Sequence, residues 1–169
     1  MSALESVPNA TLIGHLDHPD PTFVAEVIQE LARRNAMEAA PRVLELLRTT
    51  QEAVIRHDAA LALSDMKIPE AFDAIVELLR DPRTQGRRGT LLYALDPYDC
   101  APILELLVDL ALTGGYEVRM SALGLLSGIE TDIDEPTWER LSDRLKAAAA
   151  TADEQRRSEV IDPLNALFH

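Results

Sequence analysis

The chain has 169 residues, enough for a domain with a real core, and is 47% hydrophobic but only 4% aromatic. A core of Leu, Ala, Val and Ile favours packed helices over a β-sandwich, which draws on β-branched and aromatic strands. A net charge of −13, from 29 acidic and 16 basic residues, repels phosphate backbones and anionic lipid, so neither nucleic acid nor membrane is an expected partner.

Cys100 is the single cysteine, which rules out an internal disulfide and fits a reducing compartment. No apolar run approaches the roughly 20 residues of a membrane span. No basic n-region or apolar h-region opens the chain, so no signal peptide is expected. The expectation is a soluble, cytoplasmic, all-α protein forming one domain over 1–169.

Residues 1–10 are expected to be poorly ordered, and 11–17 to form a lone helix closing the N-terminal end. The first helical pair, 21–35 and 38–49, opens at Pro21 and Thr22. The second pair, 53–66 and 69–80, shows the pattern best. Ile55, Ala59, Ala60 and Leu63 share one stripe of its first helix, and Phe72, Ile75, Val76 and Leu79 share one of its second. Pro69 cannot continue the first helix but suits the start of the next, and Asp81-Pro82 closes the pair. The third pair is predicted at 85–95 and 98–112, turned at Asp96-Pro97 and ended by Thr113-Gly114-Gly115, whose glycines tolerate a left-handed C-cap. The fourth joins 116–128 to 135–149, with Asp134 or Glu135 and Pro136 at the second N-terminus. A last helix, 152–168, should kink or break at Pro163.

These pairs repeat. At an offset of 32 residues, Leu31 falls on Leu63, Glu38 on Glu70, Val43 on Ile75, Leu47-Arg48 on Leu79-Arg80, and Arg56 on Arg88. Ile103–Leu107 matches Ile75–Leu79 at an offset of 28, and Arg56 matches Arg119 at 63. The segments IRHDAALALSDM and VRMSALGLLSGI resemble the first-helix signature of HEAT-like repeats: a hydrophobic residue, Arg, two variable positions, Ala and a hydrophobic run. The resemblance covers roughly 11–168 and is nearest the short bacterial type found in bilin-lyase-related and other small scaffold proteins. It implies a right-handed α-α superhelix of about four helical hairpins plus end helices. Gly89 and Thr90 depart from the pattern, standing where the previous repeat has His57 and Asp58.

Two columns follow from the repeat. Arg56, Arg88, Arg119 and Arg157 recur near the start of successive first helices. The resemblance implies that they bridge to acidic or carbonyl groups of an adjacent unit as an inter-repeat ladder, with Asp58 and Glu159 as candidate acidic rungs. On the second helices, Glu45, Glu77 and Glu105 are equivalent, Asp143 matches them, and each points away from the core stripe. Second helices of HEAT-like arrays line the concave face, which implies an acidic ridge there, reinforced by Asp73, Asp99, Asp109 and Glu139.

Catalytic chemistry finds little footing. His15 and His18 could share a metal, but no third ligand is placed, and His57-Asp58 lacks a nucleophile. Gly114-Gly115 is no phosphate loop, and Cys100 suits a small buried position. HEAT-like di-iron hydroxylases carry His-Glu pairs, which are missing from this sequence, and HEAT-like glycosylases carry a basic groove. Tyr93, Tyr98, Tyr116 and Trp138 are candidate aromatic anchors, although single aromatics at such places more often serve packing. The expected function is a non-catalytic scaffold, with no cofactor, whose acidic concave face takes a basic protein or peptide; an immunity or inhibitor protein against a basic toxin is one form. The alternative is a lyase-like or chaperone-type accessory holding a small cofactor in the concave groove.

Overall fold

The computed structural model describes residues 4–168, which form helices joined by short turns, with no strand among the described residues. The chain separates into two compact units, Met1–Tyr98 and Asp99–His169. The division falls inside the third predicted hairpin.

In the first unit, α1 (Asn9–Gly14) runs into a 3-10 turn, His15–Asp17, and buries Leu12 and Leu16. Of the stretch 1–10, for which poor order is expected, residues 1–3 lie outside the described chain, and Leu4, Glu5, Val7 and Asn9 are tied to Arg34. Its guanidinium donates to the carbonyls of Leu4, Glu5 and Val7 and to Asn9 Oδ1, at 2.7 to 3.0 Å.

Helix α2 (Pro21–Arg33) starts where Asp20 Oδ1 accepts from the Thr22 amide at 3.0 Å and Pro21 fills a first-turn position that needs no N–H. It packs on α4 (Ala53–Asp65), which also meets α3 (Ala40–Thr49) and α5 (Ala71–Arg80). Residues matched by the 32-residue offset are buried alike: Leu31 with Leu63, Val43 with Ile75, Leu47 with Leu79. A fully buried leucine of this kind contributes roughly 1.5–3 kcal/mol through removal from water. The period also reaches the turns. The amide of Ala36 donates to the Leu31 carbonyl and that of Ile68 to Leu63, while Asn35 and Lys67 take φ of 51° and 53°. Both hairpins therefore turn through the same left-handed cap.

The first helix of the third hairpin, predicted at 85–95, is only α6 (Gly89–Tyr93). A 3-10 turn over Pro82–Thr84 and a left-handed Gly86, φ +80°, use up the residues before it. Beyond α6, the Tyr98 hydroxyl donates to the carbonyls of Ile68 at 2.8 Å and Leu63 at 3.3 Å. Its phenol thus closes the preceding hairpin turn, and burial pushes its pKa upward.

In the second unit, α7 (Leu104–Thr113) follows a 3-10 turn at Ala101–Ile103 and packs against α8 (Tyr116–Ser127) and α9 (Glu135–Thr151). Asp134 caps α9, its Oδ1 accepting from the Thr137 amide at 2.8 Å. The glycines after α7 are not left-handed: Gly114 and Gly115 have φ of −73° and −67°. Space is what Gly114 supplies, since a Cβ there would stand 2.5 Å from Val118 Cγ1 and 2.6 Å from the Leu110 carbonyl oxygen. After α10 (Glu154–Arg156), a π-helical stretch, Arg157–Ile161, leads into α11 (Asp162–Phe168). The widened turn lies just before Pro163, which cannot donate to the carbonyl four residues earlier.

Candidate functional site

The acidic column does not have one chemistry. On α5, Asp73 and Glu77 are exposed one turn apart, and neither has an ion-pair or hydrogen-bond partner among the described residues. Glu45 on α3 is exposed but held by Arg42, which also binds Asp17. In the second unit, Arg140 of α9 donates to Glu105 at 2.8 Å, and Arg144 reaches Glu105 at 3.0 Å and Asp109 at 3.1 Å. The Arg140 hydrogen bond, followed by the charges of both arginines, holds the Glu105 carboxyl below its ordinary range. Asp143 lies 3.8 Å from Lys146 in solvent, while Asp99 accepts from the Ala101 amide and Glu139 is exposed.

Arg140 and Arg144 were missed in the sequence, although the signal was there: two acids four residues apart face two arginines four residues apart, each pair separated by 35 residues.

The arginine column meets mostly carbonyls. Arg56 Nη2 donates to the Thr50 and Gln51 carbonyls at 3.1 and 3.4 Å. Arg88 Nη2 donates to the Asp81 carbonyl at 3.3 Å, and Arg157 Nη2 to that of Ala149 at 3.0 Å. Each acceptor sits at the C-terminal end of the preceding second helix, where carbonyls lack intrahelical partners and the helix dipole favours positive charge. Arg119 differs, pairing with Glu159 at 2.8 Å, while Arg156 takes the Leu112 carbonyl at the end of α7. Asp58 receives a hydrogen bond from Gln29 at 3.0 Å.

Two further groups escaped the sequence reading. Glu30 is buried in α2 and accepts from Arg33 at 2.7 and 2.8 Å and from Arg34 at 2.6 Å; these hydrogen bonds lower its pKa to about 2. Thr84 is buried, donating through Oγ1 to the Leu78 carbonyl at 2.6 Å. Neither carries a spacing that sequence reasoning recognises.

His15 and His18 flank the Phe23 ring, with centroids 5.6 and 4.7 Å away, and His18 Nδ1 accepts from the Asp20 amide. Among the described residues no three His, Cys, Asp or Glu side chains gather as a metal site. Cys100 is buried. Of the aromatic candidates, Tyr93 and Tyr116 are exposed, Tyr98 is engaged as above, and Trp138 meets Phe168 edge-on at 6.3 Å. A cavity of about 310 Å³ beside it, lined by Ser142, Leu145, Lys146, Ala149 and Asn165, is at the small end for a ligand site. No helix among the described residues is long and apolar enough to cross a membrane.

Among curated proteins no relative matches this chain. The family described as HEAT repeats matches residues 9–96, from α1 through α6 and its turn. Such repeats are in general protein-interaction scaffolds and typically non-catalytic. With the paired helices, the 32-residue period and a family match over more than half its length, the chain belongs to the HEAT-repeat family.

Proposed function

We propose that this chain is a non-catalytic interaction module that captures a basic segment of a partner protein on the exposed acidic face of α5. The observation that carries the reading is the pair Asp73 and Glu77, exposed one turn apart with no counter-ion among the described residues. Glu45 extends the same equivalent position onto α3, where Arg42 offsets part of its charge. Glu105 and Asp109, engaged by Arg140 and Arg144, fall to a supporting role. A free carboxylate pair can accept a bidentate guanidinium or an ammonium without first breaking an internal ion pair. The net charge of −13 adds long-range attraction, which speeds such encounters by about 10- to 10³-fold and fades with salt.

The test is binding of an arginine-rich peptide by calorimetry at low and moderate salt. The double substitution Asp73→Lys with Glu77→Lys should abolish binding, and salt should weaken it in the unaltered protein. Glu105→Lys should matter much less. Undiminished binding by the α5 double variant, with its circular dichroism intact, removes this face from the function.

A further inference from the structure

A basic island interrupts this acidic chain. Four of its 16 basic residues, Arg80, Arg83, Arg87 and Arg88, fall within nine positions around the α5–α6 turn. Three guanidiniums meet there on two residues, Gln51 and Asp81, each through a different oxygen. Arg56 donates to the Gln51 carbonyl, and Arg83 donates to Gln51 Oε1 at 3.2 Å. Arg83 also pairs with the Asp81 carboxylate at 2.6 Å, and Arg88 donates to the Asp81 carbonyl at 3.3 Å and to Thr84 Oγ1 at 3.3 Å. Arg87 is exposed beside them, with no partner among the described residues. Left-handed Gly86, φ +80°, turns the chain between Arg83 and the adjacent Arg87 and Arg88.

The charges do not balance. Arg56 is only 4% exposed, yet among the described residues it contacts carbonyls and no carboxylate, and its Nε–H has no hydrogen-bond partner. Buried charges are ordinarily paired. Asp81 is the carboxylate that acts on Arg56, and Arg83 already occupies it; Glu52, at the start of α4, is exposed. Burial, followed by repulsion from Arg83 and then Arg87 against the pull of Asp81, depresses the pKa of Arg56. Positive charge is thus in excess at one loop of a strongly negative protein.

The geometry points to an oxyanion site at this junction, taking a phosphate group between Arg83, Arg87 and Arg88, with Arg56 as the fixed charge beneath. Guanidinium forks match the oxygens of a phosphate in pairs, and several on one short loop suit a dianion better than a monovalent ion. The interhelical carbonyl bonds of Arg56 and Arg88 remain in place when the anion binds. This site is independent of the α5 carboxylates and does not require them to bind anything.

The experiment follows the arginine Nε–H resonances of the full chain by nuclear magnetic resonance. Inorganic phosphate is titrated at constant ionic strength maintained with sodium chloride. Saturable shifts at Arg56, Arg83 and Arg87 are expected. Arg87→Ala, which removes an exposed side chain without a partner, should weaken phosphate about tenfold, the size of one charge-assisted contact. Arg83→Gln with Arg87→Ala should abolish the saturable response. A parallel titration with O-phosphoserine separates sources: tighter binding than phosphate assigns a phosphorylated chain, equal binding assigns free phosphate. Shifts that never saturate, or that sodium chloride alone reproduces, overturn the site. So does an Arg87→Ala protein that binds phosphate as well as the original.

Discussion

Helices α5 and α7 each carry two carboxylates one turn apart, with Glu77 equivalent to Glu105, in opposite conditions. On α5, in the first unit, Asp73 and Glu77 stand in solvent without counter-ions among the described residues. On α7, in the second, Glu105 and Asp109 are bound by Arg140 and Arg144 of α9. The repeat period sets where a side chain stands on its helix, but the helix packed alongside decides what that side chain can still do. A ladder of identical residues is therefore weak grounds for a continuous binding surface, whereas an unpaired pair within it is stronger.

The largest perturbation asks whether the two units also differ in stability. Leu79→Ala, at a position 1% exposed in the first unit, should cost about 2–5 kcal/mol through the cavity it leaves. Trp138, the only tryptophan, lies in the second unit, so its fluorescence reports that unit while circular dichroism reports both. Under urea, the dichroism transition of the variant should move to lower concentration more than the fluorescence transition does. Equal shifts in both would mean that the units unfold as one.

The converse probe sits at the end of α7. Gly114→Ala places a methyl group against Val118 and the Leu110 carbonyl, and backbone oxygen cannot be displaced by a rotamer change. Overpacking of this kind costs about 1–3 kcal/mol, and Trp138 fluorescence should register it first. An unshifted midpoint would show that the α7–α8 junction relaxes freely.

Acid should separate the units as well. The Glu30 carboxyl has its pKa lowered from 4.5 to about 2 by Arg33 and Arg34. Its contribution is therefore complete above the ordinary value and is lost as pH falls toward 2. Glu30→Gln should flatten the loss of stability across that window, and Arg34, no longer paired, should release residues 4–8. Thermal melts between those two pH values test this; an acid profile with unchanged slope would remove Glu30 from the first unit's pH response.

Most of the fold was legible because aliphatic stripes at helical spacing must be buried, and Ile55, Ala59, Ala60 and Leu63 are all buried. Proline and acidic signals located the starts of α2 and α9. The failures share a cause: they depend on space or on a distant partner. Gly114 reads as a turn residue until Val118 is seen beside it, and α6 reads as a longer helix until left-handed Gly86 is seen within its first turn. Equivalence reads the carboxylate column as a set of positions, but pairing across 35 residues decides which members carry free charge. Arg56 was legible as a recurring residue, whereas its lack of a carboxylate is a property of the packed loop.

The smallest expected effect tests the turn that the first unit repeats. Asn35 and Lys67 occupy the same left-handed position, 32 residues apart, and asparagine tolerates that conformation better than lysine. Lys67→Gly should stabilise the protein by about 1 kcal/mol or less, since glycine removes the Cβ strain but gives back some freedom to the unfolded chain. Asn35→Gly should gain less still. Because Tyr98 locks the Lys67 turn through the Leu63 and Ile68 carbonyls, Tyr98→Phe should leave the glycine gain intact while lowering the overall midpoint. A Lys67→Gly protein less stable than its parent would mean that the lysine side chain holds the turn, and that the two hairpins close by different means.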